Sequence, residues 1–182
     1  MANLTPLEIE GAWLFQASSH VDERGFFREW FKSSVMREVL KSDFKIAQSN
    51  LSRSKKGVVR GIHFSTSQEG QAKWVTCANG ILWDVVVDIR PNSPTFGRWC
   101  ANELRAEDGK SIYISEGLGH AFVALEDNTV ISYMLSSPYS PKDEHAINPL
   151  DVEIGIKWPQ IPLYFSEKDA SAPNLRDYFN RP

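Results

Sequence analysis

The chain has 182 residues with 20 Lys and Arg against 23 Asp and Glu, a net charge of -3 at pH 7. That length suits one buried core, so one domain over 1–182 is expected, and the charge balance excludes nucleic-acid binding by bulk electrostatics. The opening MANLTPLEIE has no basic, apolar leader and no run approaches ~18 apolar residues, so a cytoplasmic protein without a membrane span is expected.

Glu8 to Gln16 reads as a strand, followed by a polar turn over His20-Val21-Asp22-Glu23-Arg24-Gly25 and an aromatic run from Phe26 to Phe31. Ser33 or Ser34 is placed to cap a short helix over Val35 to Leu40, where Val35, Met36, Val39 and Leu40 form one apolar stripe. Lys45 to Ser52 and Val58 to Phe64 are strand-like, joined by the basic turn Arg53-Ser54-Lys55-Lys56-Gly57, which reads as a solvated loop. Asn79-Gly80, between Trp74 to Ala78 and Ile81 to Arg90, predicts a tight hairpin. Alternation in the second run gives one apolar face, Ile81, Trp83, Val85, Val87 and Ile89. Leu82, Asp84, Val86, Asp88 and Arg90 make a mixed face suited to a polar cavity.

Further strands are expected at Trp99 to Leu104, Ser111 to Ser115, Ala121 to Leu125 and Asn128 to Ser136, with Gly117 and Gly119 as turn formers ahead of His120. The remainder is divided by prolines, with one helix expected near Leu175 to Phe179. Many short strands, few helices and no βαβ alternation predict a mainly β chain, an antiparallel jelly roll or barrel. Cys77 and Cys100 sit in apolar, strand-like settings and read as free core thiols.

No glycine-rich phosphate motif and no paired-cysteine zinc motif is present. His63 lacks a second histidine close by on its strand, so a metal held by His63 and His120 is disfavoured. The titratable groups in strand-like segments are Arg60, His63, Lys73, Asp84, His120 and Tyr133, with Asp169 near the end. Singly each is more simply a structural residue; together they supply an imidazole, a carboxylate, an ammonium and a phenol, a set for proton transfer beside a carbonyl. Strict alternation puts Arg60 and His63 on opposite faces, and Gly61 between them allows a bulge that turns both inward.

Arg60-Gly61-Ile62-His63-Phe64, Gln71-Ala72-Lys73, Asp84 to Arg90, Ser93-Pro94-Thr95-Phe96-Gly97, Glu116 to Phe122 and Ser166-Glu167-Lys168-Asp169 resemble, in order, the dTDP-4-dehydrorhamnose 3,5-epimerase family. The resemblance implies a cupin-type jelly roll, a homodimer, no metal or other cofactor, and a dTDP-linked 4-keto-6-deoxyhexose as substrate. It also implies that His63 is the general base, Asp169 the carboxylate paired with it, Tyr133 the acid on the opposite face and Lys73 the group at the keto oxygen. By the same resemblance His120 is a second active-site histidine. The resemblance further implies that Arg24, Glu29, Gln48, Asn50 and Arg60 hold the nucleotide and that Phe27 and Tyr139 pack on thymine, some of them across the dimer. Ala121 and Trp74 depart from residues common in the family. The alternatives are an epimerase acting at C3 or C5 alone, a non-catalytic nucleotide-sugar-binding cupin and, more remotely, a metal-dependent cupin oxygenase.

Overall fold

The structure, a computed structural model, describes residues 3–41 and 43–180. In chain order the strands are β1 (Asn3–Pro6), β2 (Ala12–Gln16), β3 (Ser19–Asp22), β4 (Gly25–Arg28), β5 (Gln48–Ser54), β6 (Val59–Ser65) and β7 (Lys73–Asn79). Then come β8 (Ile81–Asp88), β9 (Trp99–Arg105), β10 (Lys110–Ile114), β11 (Leu118–Ala124), β12 (Thr129–Leu135) and β13 (Glu144–Ala146). Among the described residues three short helices accompany them, α1 (Ser33–Leu40), α2 (Glu167–Ala170) and α3 (Leu175–Phe179).

Two antiparallel sheets face each other, one ordered β1-β2-β10-β7-β12-β5 and the other β13-β6-β11-β8-β9, as the jelly-roll expectation requires. Leu82 and Val86 of β8, Val75 and Cys77 of β7, Leu118 and Phe122 of β11 and Ile131 of β12 fill the space between them. Both outer faces are covered as well. Trp74, Phe15, Tyr113 and Met134 on the back of the six-stranded sheet pack with Met36 of α1 and with Phe31 and Phe44, and the Trp74 indole donates to the Trp30 carbonyl at 3.0 Å. The proline-divided tail covers the back of the five-stranded sheet. Ile147, Ile154 and Leu175 lie on Val85, Val87 and Ala121, and Trp83 meets Trp99 and Trp158 edge-on. The separate hairpin of β3 and β4 leaves Val21 and Phe27 77% and 66% exposed.

Several expectations are corrected. Asn79-Gly80 does not close a hairpin: β7 pairs with β10 and β12 while β8 pairs with β11 and β9, so the turn carries the chain from one sheet to the other. A tight Asn-Gly turn reverses direction, but both edges of β7 are already taken, and β8 stacks across the core instead. Gly119 is not a turn former; it lies within β11, where a Cβ would stand 2.6 Å from the Ile62 side chain. The strand expected from Glu8 begins at Ala12, after a turn in which Gly11 takes φ +91. The polar stretch expected as a turn is largely β3, turning only at Glu23 and Arg24, and the aromatic run from Phe26 to Phe31 is strand only as far as Arg28, where β4 ends. Neither Ser33 nor Ser34 caps α1, whose N-cap is Lys32 without a side-chain bond. The side chain of Val39, expected in the stripe of that helix, lies outside the described residues.

Candidate active site

At one end of the space between the sheets, polar residues interrupt stripes that are otherwise apolar. Lys73 precedes Val75 and Cys77 on β7, Tyr133 follows Ile131 on β12, Asp84 lies between Leu82 and Val86 on β8, and His120 between Leu118 and Phe122 on β11. Arg60, His63, Lys73, His120 and Tyr133 line one cavity of about 170 Å³, whose remaining walls are Ser52, Phe122 and Ile131.

The bulge anticipated at Gly61 is what brings Arg60 and His63 to the same cavity. His120 pairs with His63 and Phe122 with Arg60, so two steps along β11 match three along β6. Gly61 takes φ +115, and a Cβ there would stand 2.4 Å from the His120 carbonyl oxygen, a position only glycine fills without displacement.

His63 Nε2 lies 2.6 Å from Asp169 Oδ1. A carboxylate accepts only, so Nε2 carries the hydrogen and Nδ1 is left as the basic nitrogen. Asp169 is held by α2, where the Ser166 hydroxyl accepts from its backbone N–H at 3.1 Å as the helix N-cap. Burial pushes the Asp169 carboxyl up, but the hydrogen bond and charge of His63, helped by Ser166 and the Gly61 amide, hold it below its ordinary value.

Lys73 is 6% exposed and makes no hydrogen bond or ion pair to a described residue. Burial depresses its ammonium below the ordinary value, and Glu144 opposes this only in part. Burial raises the Tyr133 phenol, with the neighbouring Asn50 and Arg60 pulling the other way. Asn50 is linked in turn to Gln48 at 2.8 Å, and Gln48 Oε1 accepts the Tyr139 backbone N–H at 2.8 Å. Arg60 donates to Ser54 Oγ at 3.1 Å. Hydrogen bonds thus link Tyr133 through Asn50 and Gln48 to the backbone of Tyr139, whose ring is exposed.

Arg24, Phe27 and Glu29 are not brought to this cavity. Arg24 turns back on Asp22, with its side chain 85% exposed at the tip of the β3–β4 hairpin; Phe27 is exposed on that hairpin and Glu29 pairs with Lys32 at 3.2 Å. Two roles escaped the sequence reading: that of Ser166, quoted only as part of a motif, in positioning Asp169, and that of Ser52 in lining the cavity within the alternating series Gln48, Asn50, Ser52, Ser54 of β5. That alternation was the available signal for Ser52. A larger concavity of about 630 Å³ lies at Lys55, Lys56, Val58, Asp127, Pro162 and Tyr164, but sets no imidazole against a carboxylate. No group of three or more His, Cys, Asp or Glu among the described residues is placed to hold a metal ion.

The family model described as dTDP-4-dehydrorhamnose 3,5-epimerase matches residues 6–177. A dTDP-4-dehydrorhamnose 3,5-epimerase of Mycolicibacterium smegmatis is 48% identical over 94% of this chain and 85% of its own length. The crystal structure of a 4-keto-6-deoxy sugar epimerase from the novobiocin biosynthetic gene cluster of Streptomyces spheroides superposes with a TM-score of 0.96 at 40% identity, over 99% of this chain and 90% of that one. A 3'-monoepimerase from Streptomyces bikiniensis, solved in complex with dTDP-quinovose, gives 0.91 at 44% identity over 94% and 87% of the two chains. With the family model spanning nearly all of the described fold and relatives well above 30% identity along most of the chain, this protein belongs to the dTDP-4-dehydrorhamnose 3,5-epimerase family.

Proposed function

We propose that this chain inverts C3 and C5 of dTDP-4-dehydro-6-deoxy-D-glucose, giving dTDP-4-dehydro-L-rhamnose on the route to dTDP-L-rhamnose. The observation that carries the reading is the opposition of groups across one cavity. The His63–Asp169 pair comes from the five-stranded sheet and α2, while Lys73 and Tyr133 come from the six-stranded sheet facing it. Inverting a carbon beside a ketone needs a base on one face of the ring, an acid on the other and a group that stabilises the enolate oxygen. His63 Nδ1 takes the carbon-bound proton, with Asp169 stabilising the imidazolium that forms. Lys73, without a hydrogen bond or ion pair to a described residue, meets the enolate oxygen, and Tyr133 delivers a proton from the opposite side. The reaction exchanges protons only and calls for no redox group.

Arg60, Gln48, Asn50 and Tyr139 form the near part of the nucleotide site, and His120 faces the sugar. Arg24 and Phe27, on the exposed β3–β4 hairpin, and Glu29 just after it serve the same nucleotide from a partner subunit in a homodimer, which accounts for their standing away from the His63 cavity of their own chain. The protein acts in the cytoplasm; among the described residues no helix is long and apolar enough to cross a membrane. A second reading, inversion at C3 alone, draws support from the 44% identity to a monoepimerase.

The two readings separate in deuterated water. With dTDP-4-keto-6-deoxy-D-glucose as substrate, NMR should show deuterium entering at both C3 and C5, and addition of a 4-reductase with NADPH should yield dTDP-L-rhamnose. Label confined to C3 with no rhamnose formed would establish the single epimerase, and no exchange at either carbon would leave a binding protein.

A further inference from the structure

The imidazole of a second imidazole–carboxylate pair, His120 with Asp84, lines this cavity, and its carboxylate has no assigned work. Asp84 is 1% exposed, flanked on β8 by Leu82 and Val86 of the core between the sheets. Its Oδ2 lies 2.7 Å from His120 Nε2, and its Oδ1 has no hydrogen-bond partner among the described residues. A carboxylate held in apolar surroundings by a single hydrogen bond is expensive, and a half-satisfied buried group calls for a functional reason.

The reason lies in the ring that Asp84 holds. Because a carboxylate only accepts, His120 Nε2 must be the donor, and the neutral ring then has its lone pair on Nδ1. Nδ1 makes no hydrogen bond to a described residue, while the ring lines the cavity with its strand partner His63 and with Lys73. His63 already supplies the basic nitrogen for the carbon-bound proton, so a second acceptor in the same space fits an oxygen-bound hydrogen instead. The hydroxyls on C2 and C3 are the ring O–H groups of a 4-keto-6-deoxyhexose.

We propose that Asp84 is a positioning residue: it fixes His120 with Nδ1 as a hydrogen-bond acceptor, and through that nitrogen His120 holds one ring hydroxyl of the sugar, orienting the ring against His63. The proposal rests on the epimerase reading above. Asp84→Asn keeps the shape but offers an amide N–H to Nε2, which stabilises the opposite tautomer and turns Nδ1 into a donor.

The test measures deuterium exchange at C5 by NMR with dTDP-4-keto-6-deoxy-D-glucose and with its 2-deoxy and 3-deoxy analogues. Asp84→Asn is expected to slow exchange on the full substrate at least about tenfold, as a wrong tautomer does in a related dyad, while dTDP affinity stays within twofold. The deficit should disappear on whichever analogue lacks the hydroxyl that His120 holds. Asp84→Asn combined with His120→Asn should be no slower than His120→Asn alone, since one residue acts through the other. A deficit that persists on both analogues, or unchanged exchange on the full substrate, overturns the proposal. Should the variant fail to fold, the wild-type protein still decides: nitrogen-15 NMR of His120 must show hydrogen on Nε2 and none on Nδ1, and hydrogen on Nδ1 overturns it. Loss of the epimerase reading would look different, as absence of exchange in the wild-type enzyme.

Discussion

Replacing Asp169 by Asn separates orientation of the base from the base itself. The wild-type carboxylate accepts from His63 Nε2 at 2.6 Å, and its side chain is 4% exposed, so the bond is charge-assisted and shielded from water. A hydrogen bond to a charged group is worth about 1.5–3 kcal/mol net. If that energy is realised when His63 becomes imidazolium, kcat should fall by roughly 10- to 150-fold, at one factor of ten per about 1.4 kcal/mol. KM and dTDP affinity should hold, because Asp169 touches the imidazole rather than Arg60, Gln48 or Asn50, the residues proposed for the nucleotide. The same variant has a stability signature. The Asp169 carboxyl is lowered in the folded protein, so its contribution is present above the unfolded carboxylate value of about 4 and is lost as pH falls through the lower folded value. Urea unfolding should therefore show wild type ahead of Asp169→Asn at pH 7, with the gap closing in acid. Exchange kinetics and urea midpoints from pH 3 to 7 check both parts. Unchanged kcat with a raised KM, or a gap that widens in acid, would refute the reasoning.

Gly61→Ala should cost more than about 2 kcal/mol in urea unfolding and most of the activity, since it imposes positive φ on a side chain and drives a Cβ against the His120 carbonyl. Ser166→Ala removes the cap that holds Asp169 in place and should destabilise by about 1 kcal/mol while lowering kcat, with KM little changed. Burial pushes the Cys77 and Cys100 thiols up to about 11, so iodoacetamide at pH 8 should leave both unmodified in the native protein and alkylate both after denaturation, as mass spectrometry will show. Arg24→Ala should weaken dTDP binding by roughly tenfold or more in calorimetry. Mixing it with an active-site variant of intact hairpin should restore activity in the hybrid dimers, and failure of that complementation would count against sites completed across subunits.

Alternation carried the sequence reading furthest where one face of a strand is buried. On β8 it separated Val85 and Val87, which meet the tail, from Leu82 and Val86, which face the other sheet. The mixed face was read as a cavity wall, but Leu82 and Val86 belong to the dry core, and Asp84 reaches the cavity only through the His120 ring it holds. Gly61 resolved the facing problem of Arg60 and His63, because a glycine inside a strand lets the backbone take the positive φ that this bulge needs. Asn79-Gly80 misled because turn chemistry fixes a reversal of direction without saying whether the two strands share an edge or stack. The four-residue α2 has no periodicity to read, so the pairing of Asp169 with His63 was reached only through the family resemblance, and the capping role of Ser166 in the same motif was not read at all. The hairpin carrying Arg24 and Phe27 stands apart from the cavity of His63, and nothing in the spacing of those residues along the chain foretold that separation.

The central claim, that His63 abstracts the carbon-bound proton within a site otherwise built to hold the nucleotide, is tested most directly by His63→Asn. The measurement is deuterium incorporation into dTDP-4-keto-6-deoxy-D-glucose at C3 and C5, followed by NMR alongside calorimetric binding of dTDP to the same sample. The account predicts that exchange at both carbons falls to the buffer rate while dTDP affinity stays within about threefold of wild type, because the imidazole serves proton abstraction and not the nucleotide. Exchange at either carbon near the wild-type rate, with binding intact, would place the base elsewhere and contradict it.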